Sequence, residues 1–125
     1  MEHHSIAFGE ARTMSPITTH VLDTHLGRPA AGMAVTLERL NSGQWSTLAS
    51  GVTDRDGRVG KLVAPGSVVT GTYRITFETG VYFEARQTAT FYPHVSIAFD
   101  ISDATQHYHV PLLLSPFGYS TYRGS

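Results

Sequence analysis

Two histidines one residue apart, His107 and His109 in the segment HYH, form the densest pair of titratable rings in the last third of this 125-residue chain. Side chains along an extended strand alternate between its faces, so the two imidazoles would stand on one face and Tyr108 on the other. Such a pair has three uses: exposed or interface histidines with no chemistry, two ligands of a metal, or an acid and base working near neutral pH. A metal would need a third ligand. The chain has no cysteine, so that ligand would be His20 or a carboxylate.

Other residues of suitable chemistry are scattered. His20 lies in THVLD, among apolar neighbours, where a lone histidine is ordinarily structural; Asp23, three residues on, falls on the opposite face of a regular strand and is not its partner. TDRDGR (53–58) has D-x-D spacing without the further acidic ligands of a calcium loop. It reads as a hairpin turn: Asp54 bonds its own backbone, Gly57 accepts positive φ, and Arg58 emerges as a forked donor for a planar, anionic or carbonyl-rich ligand. The closing segment GYSTYRGS (118–125) lacks the glycine-lysine framework of a phosphate loop. The apolar VPLLL just before it would anchor the tail and hold Tyr122, Arg123 and Ser125 in place.

The elements that must position these residues are short. ITTHVLDT (17–24), MAVTLERL (33–40), WSTLASGVT (45–53), GTYRITFET (71–79), VSIAFDI (95–101) and HYHVPLLL (107–114) read as strands, separated by glycine, proline and Asp turns. The clearest is 71–79, with Tyr73, Ile75 and Phe77 on one side. GVYFEARQTA (80–89) is the one stretch that could hold a helix. About seven short strands with turns roughly every ten residues indicate an all-β, antiparallel sandwich or barrel.

Composition narrows the function classes. One domain fits the length. Hydrophobic residues make up 41% and charged residues 15%, and no apolar run approaches the roughly 18 residues of a membrane span. A net charge of -1 leaves no basic surplus for nucleic acid or an anionic membrane. Residues 1–15 read as a flexible extension, with Met14 offering an internal start, and 16–125 as the folded domain. Neither a secretory signal nor a C-terminal S-K-L address is present, so cytoplasm is the expected compartment.

Together, HYHVPLLLS and the terminal YSTYRGS closely resemble the signature of the transthyretin-related 5-hydroxyisourate hydrolases of urate breakdown. THVLDTHLGRPAAGMAVTL, TDRDGR and TGTYRITFETGVYF match that family's opening and middle blocks, so the resemblance spans about residues 17–125. It implies a two-sheet, eight-strand sandwich with one short helix, assembled as a homotetramer, a dimer of dimers, with active sites at the dimer-dimer interface. It implies hydrolysis of 5-hydroxyisourate to 2-oxo-4-hydroxy-4-carboxy-5-ureidoimidazoline without a cofactor or catalytic metal. The family's catalytic residues fall on His20, Arg58, His109 and Ser125, and Tyr122, Arg123, Gly124 and His107 fall beside them as substrate-binding positions; the sequence departs from the pattern at none of these. The terminal YRGS separates the hydrolases from transthyretin, a hormone carrier. The alternatives left beside this are a noncatalytic carrier of a small ligand and a histidine zinc protein.

Overall fold

The computed structural model describes residues 15–125. Ten strand segments and one short helix follow one another: β1 Ile17–Thr18, β2 Val21–Asp23, β3 Arg28–Pro29, β4 Ala34–Asn41, β5 Gln44–Val52, β6 Gly71–Phe77, α1 Thr79–Glu84, β7 Val95–Ile101, β8 Tyr108–His109, β9 Leu112–Ser115 and β10 Gly118–Thr121. Two four-stranded sheets run in the orders β10-β9-β2-β3 and β5-β4-β6-β7, with β1 and β8 forming a separate two-stranded ladder. That ladder continues β2 and β9 across a short break. The amides of Val110 and Leu112 donate to the carbonyls of Thr18 and His20 at 2.9 Å, spanning the gap that Pro111 leaves because it has no N–H. Counting β1 with β2 and β8 with β9 as single strands gives eight, the number the family resemblance implies.

Most expected elements are present, with differences that have local causes. The strand expected over 107–114 is broken at Val110–Pro111, and the strand over 17–24 is broken opposite it. Arg28–Pro29, expected within a loop, pairs with β2. The helix is shorter than the 80–89 stretch: Gln87 turns at φ 54, a left-handed conformation that ends helical bonding. The last residues are paired: β10 lies antiparallel on β9, with Tyr119 opposite Leu114 and Thr121 opposite Leu112. The expected extension falls outside the described residues except for Ser15. That residue is buried and donates its hydroxyl to the Ile17 carbonyl at 2.7 Å.

Strict alternation builds the core. From Ser15 to Asp23 the odd-numbered residues are buried and the even-numbered ones face outward. Ile17 and Val21 meet Leu37, Ile75, Phe77, Phe83, Leu112 and Leu114 in one cluster fed by both sheets. Each such side chain contributes about 1.5–3 kcal/mol on burial. Asp23, in the same inward register, is 1% exposed. Its carboxylate accepts from the Tyr82 hydroxyl at 2.7 Å and from the Leu26 amide at 2.9 Å, tying α1 to the sheet. Burial, and next the bond to Asp23, push the Tyr82 phenol up to about 12. Asp23 therefore serves the helix joint and leaves His20 unpaired with it, as the opposite-face argument predicts. Removing the phenol in Tyr82→Phe should cost about 1.5–3 kcal/mol, the range for a hydrogen bond to a charged group. Urea unfolding measures that loss, and turnover per folded molecule should stay near normal.

Candidate active site

Four stretches distant in sequence lie side by side at one end of the sandwich. Arg58 forms an antiparallel bridge with His20; Thr18 and His109 are direct partners in the parallel β1–β8 ladder; and His109 bridges antiparallel to Gly124, whose amide donates to the His109 carbonyl at 2.8 Å. The order across the surface is thus the DRDG turn, the first strand, the HYH strand and the tail. Thr18, His20, His107 and His109 all occupy outward positions of their strands, while Ile17, Thr19 and Tyr108 between them point into the core.

Each stretch is held in place by local chemistry. In the turn, the Asp54 carboxylate accepts from the amides of Asp56 at 2.8 Å and Arg58 at 3.1 Å, and the Arg58 amide is the largest influence holding this carboxyl below its usual range. Gly57 has φ 78, and its carbonyl takes the Val21 amide at 2.8 Å, so the turn is clamped to the strand carrying His20. The HYH strand is fixed from below: the Tyr108 hydroxyl bonds both the amide and the carbonyl of Asp103. The tail is fixed by Arg123, whose guanidinium lies 4.4 Å over the Tyr108 ring and donates to Gln106 at 2.8 Å.

A cleft of about 630 Å³ opens over this surface, and Thr18, Arg58, Lys61, His107, His109 and Ser125 line it together with Asp54 and Val59. The two imidazoles are close to parallel, at 16°, with centroids 6.4 Å apart, the cofacial pair expected from strand alternation. The Thr18 hydroxyl touches both, at 2.9 Å from His107 Nε2 and 2.8 Å from His109 Nδ1. Burial lowers the His109 pKa from its ordinary value, helped by the charges of His107, His20 and Arg58; the Thr18 backbone works weakly the other way. His109 is therefore neutral, a base, at neutral pH and somewhat below it. Among the described residues, no three of His, Asp and Glu gather closely enough to hold a metal ion.

The candidate residues do not all share this cleft. His20 borders it through its bridge to Arg58 and its charge on His109. Tyr122 and Arg123 line a neighbouring cleft of about 270 Å³, with Phe99 and Tyr108. His25 and His94 are exposed elsewhere. Gly124 lies against the His109 ring: a Cβ there would lie 2.5 Å from His109 Cδ2. Thr18 and Lys61 were not singled out from sequence; Thr18 was detectable, since it stands two residues before His20 and shares its face.

The family model described as the HIUase/Transthyretin family matches residues 17–124. The chain belongs to this family. A 5-hydroxyisourate hydrolase of Mus musculus is 47% identical over 117 residues, covering 92% of this chain and 99% of the mouse protein. The solved 5-hydroxyisourate hydrolase of Klebsiella pneumoniae is 40% identical with a TM-score of 0.77, covering 90% of this chain and 100% of that one. Sea bream transthyretin, solved with thyroxine, is 32% identical with a TM-score of 0.83, covering 87% of this chain and 94% of that one. The fold is shared by hydrolase and carrier alike, so the site's side chains must distinguish them.

Because Gly124 leaves room for the His109 ring, Gly124→Ala should displace the ring while the sandwich stays folded. Turnover is expected to fall by roughly 10²-fold, the scale of a small misplacement of a catalytic group. Circular dichroism and steady-state kinetics on the same sample check both halves.

Proposed function

We propose that this chain is a hydrolase that opens the six-membered ring of 5-hydroxyisourate by adding water, giving 2-oxo-4-hydroxy-4-carboxy-5-ureidoimidazoline. One observation carries the reading: a neutral, half-buried His109 shares a cleft with Arg58, His107 and Ser125, in a chain 47% identical to a mouse 5-hydroxyisourate hydrolase.

The substrate is a planar, carbonyl-rich purine derivative, and its ring amide resists attack by neutral water. Three tasks follow: remove a proton from water as it attacks, stabilise the oxyanion, and protonate the departing ring nitrogen. His109 takes the water proton, since its lowered pKa keeps a lone pair available. His20, on the adjacent strand, orients the water. Arg58, forked and permanently cationic, faces the carbonyls and the developing oxyanion, where one well-placed donor is worth about 10²–10³ in rate. Lys61 adds to the same positive side of the cleft, and the Ser125 hydroxyl closes it by hydrogen bonding. The proton on His109 then passes to the departing nitrogen as the carbon–nitrogen bond breaks. Arg123 holds the tail that carries Gly124 and Ser125, and with Tyr122 in the neighbouring cleft supports substrate binding indirectly.

A carrier for an apolar hormone would line its channel with aliphatic and small side chains. Here, among the described residues around the cleft, Val59 is the one aliphatic side chain beside cations, imidazoles, hydroxyls and the Asp54 carboxylate. The proposal includes a homotetramer, a dimer of dimers whose paired clefts face one another; sedimentation should give a species near four times the 13.6 kDa chain.

The direct test follows the ultraviolet decay of freshly made 5-hydroxyisourate, generated by urate oxidase, with and without the protein. Acceleration is expected, and decay at the spontaneous rate sinks the reading. His109→Ala and Arg58→Ala should each lower kcat/KM by about 10²–10⁴ with the fold intact. The lowered His109 pKa sets the sign of the pH effect: the base form persists as pH falls below the ordinary histidine value of about 6.5. Protonation of His109 itself, read by NMR of its ring, should therefore come at a lower pH than in an unperturbed histidine.

A further inference from the structure

We propose that Thr18 is a positioning residue for the hydrolysis put forward above, a hydroxyl that couples the tautomer of His109 to the protonation of His107. The geometry that carries this is a single oxygen within hydrogen-bonding distance of two different rings, 2.9 Å from His107 Nε2 and 2.8 Å from His109 Nδ1. The placement follows from strand pairing: Thr18 is the direct ladder partner of His109, and His107, two residues before, lies on the same face.

A hydroxyl has one hydrogen and two lone pairs. It can donate to only one of the two nitrogens, so the other must bring its own hydrogen. When His107 Nε2 is unprotonated, Thr18 donates to it and accepts from His109 Nδ1–H. The remaining His109 nitrogen, Nε2, then carries the lone pair and can act as base. When His107 is protonated, its Nε2–H donates to Thr18, whose hydrogen turns to His109 Nδ1. His109 then carries its hydrogen on Nε2 and has lost its lone pair to the hydroxyl. No bond to carbon is made or broken; one hydroxyl reorients and one ring exchanges tautomers.

The surroundings favour such a linkage. His20 faces His109 from the first strand, Arg58 from the turn, and Lys61 and Asp54 line the same cleft. Three of these groups add positive charge when protonated, which disfavours a second proton on His109. The Thr18 backbone is locked independently, its carbonyl taking the Val110 amide at 2.9 Å, so removing the hydroxyl need not move the strand. The hydroxyl is also not required by the core, since Thr18 occupies an outward position and Thr19 fills the buried one.

The test compares Thr18→Val, which keeps the shape and removes the hydroxyl, with Thr18→Ser, which keeps the hydroxyl. Nitrogen-15 NMR of the ring nitrogens reads the His109 tautomer across pH without substrate, so it stands apart from the hydrolysis assay. In the native protein the His109 hydrogen should move from Nδ1 to Nε2 as His107 protonates. In Thr18→Val that exchange should no longer track His107, the acid limb of kcat/KM should move to lower pH, and kcat/KM at neutral pH should fall about tenfold, less than loss of the base itself. Thr18→Ser should restore all three. His107→Ala, with Thr18 intact, should shift the acid limb in the same direction as Thr18→Val. A Thr18→Val protein with the native pH profile and native His109 tautomer behaviour overturns the coupling, as does a Thr18→Ser protein no better than valine. If the native protein lacks hydrolytic activity while the tautomer coupling is present, the functional reading fails and the linkage stands.

Discussion

The parallel pairing of residues near the start of the described chain with residues near its end is the constraint on which everything else rests. Ile17 and Thr18 lie against Tyr108 and His109, and Val21 through Asp23 against Leu112 through Leu114. Parallel neighbours need a long connection between them, and here the connection is almost the whole domain, including the second sheet and the helix. Closing so long a loop carries an entropic cost that grows slowly with length. The burial of Ile17, Val21, Leu112 and Leu114 in the common core offsets it.

From this pairing the site follows by period-two alternation. Because odd positions point inward, Thr18 and His20 point outward; because Tyr108 is buried, His107 and His109 are not. The same ladder holds a further segment on each side by a single bridge, the DRDG turn through His20 and Arg58 and the tail through His109 and Gly124. One surface therefore collects groups from four parts of the chain, each held through its backbone. The side chains can be polar and partly desolvated because none of them is needed to hold the sandwich together. Burial and neighbouring positive charge then tune His109 toward neutrality, the state in which an imidazole serves as base.

The tail illustrates how packing and chemistry divide the work. Arg123, which looks like a ligand-binding cation in sequence, covers the Tyr108 ring and anchors the strand end. Gly124 is required by proximity to the His109 ring more than by backbone conformation, and Ser125 is the tail residue that reaches the main cleft. The tail passes from one cleft to the other between Arg123 and Ser125, so a motif read as one unit in sequence is divided in space between two clefts.

The sequence by itself determined the sandwich class, the strands β4, β6 and β7, the DRDG turn and the cofacial histidine pair, because alternation and turn chemistry are local and survive without a partner. It also carried the family likeness through blocks spread along the chain. The interruption of the first and HYH strands and the joining of Asp23 to Tyr82 were decided by tertiary structure, since each depends on a partner tens of residues away. So was the part of Thr18. Alternation puts the first threonine of TTHVLD on the face of His20 and the second in the core, but only the ladder, by setting Thr18 against His109, brings one hydroxyl within reach of two imidazoles.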